Sequence, residues 1–182
     1  MRRGFTLIEI LITTALFLVT MVAMTQLYIA YGRVIELQKS SISVALDGSS
    51  IVEAVRTAGL QADHVVAAHT FSGEDYTTGT TTALFELPAV DASGAIIENA
   101  YDYIGIYASS TSVYRTIDAA PGSARVSGSK RLTQALDALR FTYDNASIPL
   151  VGSVTVDATT SAMLRGETTQ VHLHQHIQLR NL

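Results

Sequence analysis

Residues 2–31 read RRGFTLIEILITTALFLVTMVAMTQLYIAY, and this stretch decides the architecture. From Ile10 to Tyr31 it runs for 22 residues without a formal charge. About 20 apolar residues in a helix cross a hydrocarbon core ~30 Å thick, so the run reads as a membrane-spanning helix. Its polar members are Thr13, Thr14, Thr20, Thr25 and Gln26. Threonine hydroxyls are tolerated there because they can bond back to helix carbonyls. One residue looks misplaced. Glu9 stands at the mouth of the run, and an ionised side chain inside a bilayer costs ~2.5–3.5 kcal/mol at mid-depth.

The whole chain has 182 residues, 48% of them hydrophobic and only 15% charged, which allows one domain and a helical appendage. Outside the apolar run the composition is that of an ordinary soluble domain, so the protein reads as an anchored domain. A net charge of −4 gives no basic footprint for nucleic acid. With no cysteine, disulfides, thiol catalysis and thiolate metal sites are excluded. Arg2 and Arg3 precede the run and Arg33 follows it, so charge alone sets the orientation weakly.

A secretory signal places its small-residue cleavage site after the apolar segment. Here Gly4 lies before that segment, so a cut after it leaves the hydrophobic run on the mature chain. Arg2-Arg3-Gly4-Phe5-Thr6-Leu7-Ile8-Glu9, followed by the uninterrupted apolar helix, resembles the cleavage and methylation site of type IV pilins and the pseudopilins of type II secretion. The resemblance implies that a prepilin peptidase cuts between Gly4 and Phe5. The same enzyme family then methylates the new amine of Phe5, using S-adenosylmethionine. Losing Arg2 and Arg3 takes 12 basic residues to ten against 16 acidic, a net charge of −6. It further implies assembly with other pilin or pseudopilin subunits on an inner-membrane platform. The protein itself is expected to hold no cofactor and to catalyse nothing.

The resemblance also gives Glu9 a reason. In helices stacked with an axial offset, its carboxylate can sit beside the Phe5 amine of a neighbour. Two charges that are costly alone then form a pair in low dielectric, favourable only in good geometry. Position alone equally allows Glu9 to reach the headgroups. The family's filament-forming members often carry Gly and Pro inside this helix, where Leu18 and Gln26 stand here, which points to a minor subunit.

Helical periodicity continues beyond the membrane with two apolar stripes: Ile35, Ile42 and Leu46 on one side, Leu37, Val44, Ile51 and Val55 on the other. One stripe packs under the head and the other is left for a neighbour, or both are buried within the domain. Gly48-Ser49-Ser50 weakens the helix and Gly59 is its expected stop. Alternation then predicts strands at 83–87, 103–108, 113–117, 139–143, 151–156 and 169–179, with a short helix at 132–138. The expected class is α+β, a long N-terminal helix on a mostly antiparallel sheet. Its divisions are a leader at 1–4, a membrane and filament-core helix at 5–31, an amphipathic continuation at 32–59 and a β-rich head at 60–182. The run 126–143 and the final strand ending Leu179-Arg180-Asn181 resemble, more weakly, the J-type pseudopilin and the W-type minor pilin.

His172, His174 and His176 alternate, so on a strand they share one face ~6.6–6.8 Å apart. Zinc wants a further ligand and a closed shell around it, and no obvious partner lies nearby in sequence. A solvated outer face is the expectation, with an anchored metalloenzyme as the sharp alternative. Asp91, Ser93, Glu98 and Asp102 suggest a calcium loop, but the EF-hand pattern is absent and a β-turn with acidic flanks reads better. Asn145-Ala146-Ser147 matches a glycosylation triplet of high chance frequency. The Thr-rich stretch 76–82 reads as a mobile loop, and His64 and His69 carry no signal of their own. The functional expectation is a structural subunit of a pilus or secretion filament. It would wait as a single-pass protein in the inner membrane, N-terminus cytoplasmic and head outside. The alternative is an uncleaved, membrane-anchored binding domain.

Overall fold

The computed structural model describes residues 6–164 and 166–180. The chain divides into two units, the first ending at Ser40 and the second running from Ser41. One helix, α1 (Leu7–Gln61), contributes to both. In the first unit, residues 6–34 are all exposed. Their apolar side chains are exposed, as a membrane-spanning helix would leave them. Each threonine of the run returns its hydroxyl to the helix: Thr13 to Glu9 O, Thr14 to Ile10 O, Thr20 to Phe17 O and Thr25 to Met21 O, at 2.7–2.8 Å.

The second unit is α+β. Its helical portion buries Val44, Gly48, Ile51, Ala54, Val55, Ala58 and Gly59, a stripe at helical spacing. Ile42 and Leu46 lie on the other side, 61% and 63% exposed. Of the two stripes read from the sequence, the one holding Val44, Ile51 and Val55 therefore enters the core. Ten strands follow: β1 (His64–Val65), β2 (Ala68–Phe71), β3 (Glu74–Thr77), β4 (Thr82–Val90), β5 (Ile96–Ser109), β6 (Ser112–Asp118), β7 (Gly128–Thr133), β8 (Leu136–Tyr143), β9 (Ser153–Leu164) and β10 (Glu167–Gln178). They form a five-stranded sheet in the order β1-β4-β5-β6-β7, a three-stranded sheet β10-β9-β8 and the β2-β3 hairpin, all antiparallel. One core lies between: Ile51 and Val55 of the helix, Phe85 and Leu87 of β4, Ile104 and Ile106 of β5, Phe141 of β8, Val154 and Val156 of β9, and Ile177 of β10.

All six strands read from alternation are present, each extended at one or both ends, though β9 begins at Ser153 rather than 151 and β10 ends at Gln178 rather than 179. Three readings are corrected. Residues 132–138 form no helix; they are the end of β7, a turn and the start of β8, because Leu136 and Leu139 bury by sheet pairing with β9. The stretch 76–82 is not a free loop. Thr80 O accepts from Phe141 N–H (2.7 Å) and Thr81 O from Ala108 N–H (3.0 Å), so it stitches the two larger sheets together. The Tyr143 hydroxyl shares its hydrogen between Thr82 O (2.9 Å) and Gly79 O (3.1 Å), and burial pushes its pKa up.

Gly59 does not stop the helix, which continues to Gln61. Its role is close approach. A Cβ there would lie 2.8 Å from Ile177 Cγ2, and one at Gly48 would lie 2.6 Å from Leu173 Cδ1. The two glycines let the helix settle onto β10, and Thr160 of β9 fastens the same seam by donating its buried hydroxyl to Val44 O at 2.8 Å. Overpacking a full core costs ~1–3 kcal/mol. A Gly59→Val chain is expected to lose stability by that amount in urea titration of the detergent-solubilised protein; an unchanged midpoint would show that the helix can lift freely.

Candidate functional site

The first site is the start of the helix. Gly4 and Phe5, the expected processing pair, lie outside the described residues, as do Arg2 and Arg3. Thr6 and Glu9 are described, and they form a capping box. The backbone N–H and the hydroxyl of Thr6 both donate to Glu9 Oε2, at 2.8 and 2.9 Å. Glu9 N–H returns a long bond of 3.4 Å to Thr6 Oγ1. A helix leaves its first N–H groups without partners, and in lipid each would be costly. Thr6 and Glu9 satisfy part of that need between them. Sequence reasoning missed this use of Glu9, although the signal was present in the Thr-x-x-Glu spacing ahead of an apolar run. Only Oε2 is engaged; Oε1 makes no hydrogen bond among the described residues.

The second candidate is the histidine stripe. His172, His174 and His176 are exposed on one face of β10, as the alternation predicts. Antiparallel pairing with β9 sets them opposite Thr159, Asp157 and Thr155. His174 Nδ1 lies 2.6 Å from Asp157 Oδ1, and His176 Nδ1 lies 3.1 Å from Thr155 Oγ1. Asp157 is thus the acidic neighbour that sequence distance concealed; only strand register brings it there. Among the described residues no group of three or more His, Asp or Glu side chains comes together at metal-binding distance.

The acidic residues weighed for calcium are separated in role. Asp91 closes the β4–β5 turn, its Oδ1 accepting from Ser93 N–H, Ser93 Oγ and Ala95 N–H at 2.7–2.9 Å. Those bonds, the Ser93 hydroxyl foremost, hold its carboxyl below the usual range. Asp102 is fully buried and committed to Arg125, whose Nη1 lies 2.6 Å from Oδ2. The same carboxylate accepts from Ala120 N–H and Ser123 Oγ, both at 2.7 Å. Asn145 is exposed, and its own Oδ1 accepts from Ser147 N–H at 2.8 Å.

His69, without a signal in the sequence, belongs to a row of six rings. Its imidazole stacks on Tyr103 at 3.8 Å and meets Phe71 edge-on at 4.7 Å. The row passes on through Tyr76 and Tyr107 to Tyr114, with spacings of 4.6–5.7 Å. Asp118 Oδ2 lies 3.0 Å from His69 Nε2. These rings fasten the β2-β3 hairpin to one face of the five-stranded sheet, with Phe71 buried among them. Burial first, and the Glu86 carboxylate second, push Tyr103 up to about 12.

Residues 1–25 match the family described as the prokaryotic N-terminal methylation motif. No curated protein and no solved structure matches the chain.

Proposed function

Taking as premise that the chain carries a type IV pilin-like N-terminal methylation motif, we propose that it is a minor pilin or pseudopilin, a structural subunit rather than an enzyme. The observation that carries this reading is the match over residues 1–25 joined to an exposed helix long and apolar enough to cross a membrane. Prepilin peptidase cuts between Gly4 and Phe5 and the Phe5 amine is methylated. The subunit waits in the inner membrane with its head outside the cytoplasm, then leaves lipid as its helix packs against those of other subunits. Glu9 sets the register. Its Oε2 is already held by Thr6, and Oε1 is left to receive a neighbour's Phe5 amine. The capping box supports this role because it fixes the carboxylate's rotamer before the amine arrives, which lowers the ordering cost of pairing.

Helix continuity through Leu18 and Gln26 supports a minor rather than a bulk subunit. The J-type or W-type assignment rests on the run 126–143 and the closing strand alone. Mass spectrometry of the N-terminus from the native host tests the reading. The mature chain is expected to begin with N-methylated Phe5. A chain still beginning at Met1 in a host with the peptidase would overturn it and leave an uncleaved anchored domain.

A further inference from the structure

A strand at the edge of a sheet carries a row of unpaired N–H and C=O groups, and native proteins blunt such edges. In this head the other strand edges are blunted. Strand β1 has two residues, and β2 and β3 have four each. The outer edge of β7 carries Lys130 and Arg131. That of β8 is taken up by bonds from Phe141 N–H to Thr80 O and from Leu136 N–H to Thr111 O. Among the described residues strand β10 has no such protection. It is a 12-residue edge strand, in one-to-one register with β9 throughout, with no Pro, Gly or Lys.

The direction of its free groups follows from the ladder. Leu179 N–H donates to Gly152 O on the β9 side, so odd-numbered residues of β10 turn their main chain inward and even-numbered ones outward. Thr168, Gln170, His172, His174, His176 and Gln178 are the outward set, and all six are exposed. Among the described residues the only side-chain hydrogen bond to the main chain of these six is local, from Gln175 Nε2 to His176 O.

We propose that the free edge of β10 is a docking site for an extended strand of a different protein chain, one with Asp, Ser or Thr at alternate positions. The backbone groups call for a strand, since a helix has already spent its own. The side chains narrow its chemistry. On its inner side the histidine stripe is matched by Thr155 and Asp157 at the Nδ1 atoms. The Nε2 atoms of His174 and His176 have no partner among the described residues, and neither does the His172 ring. A second strand with the hydroxyl and carboxylate pattern of β9 would serve them. A second copy pairing β10 to β10 about His174 would set imidazoles against imidazoles and bring no carboxylate to them, so the stripe fits a different chain better than a symmetric dimer.

The probe is a labelled synthetic peptide with the β9 sequence SVTVDATTSAML, titrated onto the detergent-solubilised full chain, so the outcome does not depend on filament assembly. Saturable binding is expected, with slowed amide hydrogen exchange at residues 170, 172, 174 and 176. Proline is tolerated on an edge where its missing N–H faces outward. The double variant His172→Pro/His176→Pro is therefore expected to fold and to bind at least about tenfold more weakly. His172→Ala/His176→Ala, which keeps both N–H groups, should weaken binding only about threefold. Absence of saturable binding, or binding that leaves those four amides fast, overturns the proposal. So does equal binding by a folded proline variant; if that variant fails to fold, the exchange result on the parent chain decides.

Discussion

A Glu9→Ala chain is expected to insert in the membrane as fully as the parent and to enter filaments on the order of a hundredfold less. Removing one partner of a buried ion pair costs ~3–5 kcal/mol, because the remaining charge is left without compensation. Each 1.4 kcal/mol is a factor of ten in an equilibrium. Insertion is unaffected because the apolar run supplies it, and shedding a charge only eases entry into lipid. The capping box adds a separating control. Glutamine also serves at the third helical position of a capping box, so Glu9→Gln keeps the helix start that Thr6 and Glu9 make. If the carboxylate's charge sets the register, Gln fails to assemble nearly as badly as Ala. If capping were its whole task, Gln would restore assembly. Quantitative blotting of membrane and sheared-filament fractions distinguishes the two, and normal incorporation of Glu9→Ala would end the register role.

The second large effect lies in the head. Asp102→Ala is expected to destabilise it by ~3–5 kcal/mol. The carboxylate is fully buried and receives three donors, from Ala120, Ser123 and Arg125. Through Arg125 it also reaches the end of the helix, since the guanidinium donates to Gln61 Oε1 (2.9 Å) and Pro88 O (2.8 Å). Truncation leaves a largely buried cation and two other donors without their acceptor. Asp102→Asn, which keeps one acceptor oxygen, should cost less. Urea unfolding of the solubilised chain followed by circular dichroism reads both; a loss below ~1 kcal/mol for Asp102→Ala would mean that water replaces the carboxylate.

What was legible in the sequence divides along physical lines. The apolar run, the N-terminal methylation motif and the strands with clean alternation announce themselves because their signals are local. Gly59 misled because glycine signals both a helix end and a close approach, and only the packed strand, with Ile177 against it, separates the two. Residues 132–138 misled because Leu132, Leu136 and Leu139 fit helical spacing as well as they fit two strands and a turn. The 128–133 strand was missed because Gly128, Ser129, Lys130 and Arg131 are exposed on a sheet edge and show no apolar alternation. The hairpin at 68–77 turns on Ser72 and Gly73, both at positive φ, and serine rarely advertises that conformation. At the candidate sites, the Thr6–Glu9 bonds follow from a four-residue pattern. The Asp157–His174 contact needs a strand register that no local pattern supplies.

The seam between helix and β10 has a mechanical consequence. Gly48 sits over Leu173 and Gly59 over Ile177 and Leu179. Eleven residues of helix at ~1.5 Å each therefore lie along four to six residues of strand at ~3.3 Å each, about 16 Å beside 13–20 Å, in the same direction. A lengthwise tug on residues 44–59 loads that whole seam at once, in shear, with the Thr160–Val44 hydrogen bond at its leading end. Bonds strained together resist force far better than bonds peeled in turn, so a molecule hauled by its helix would keep its head.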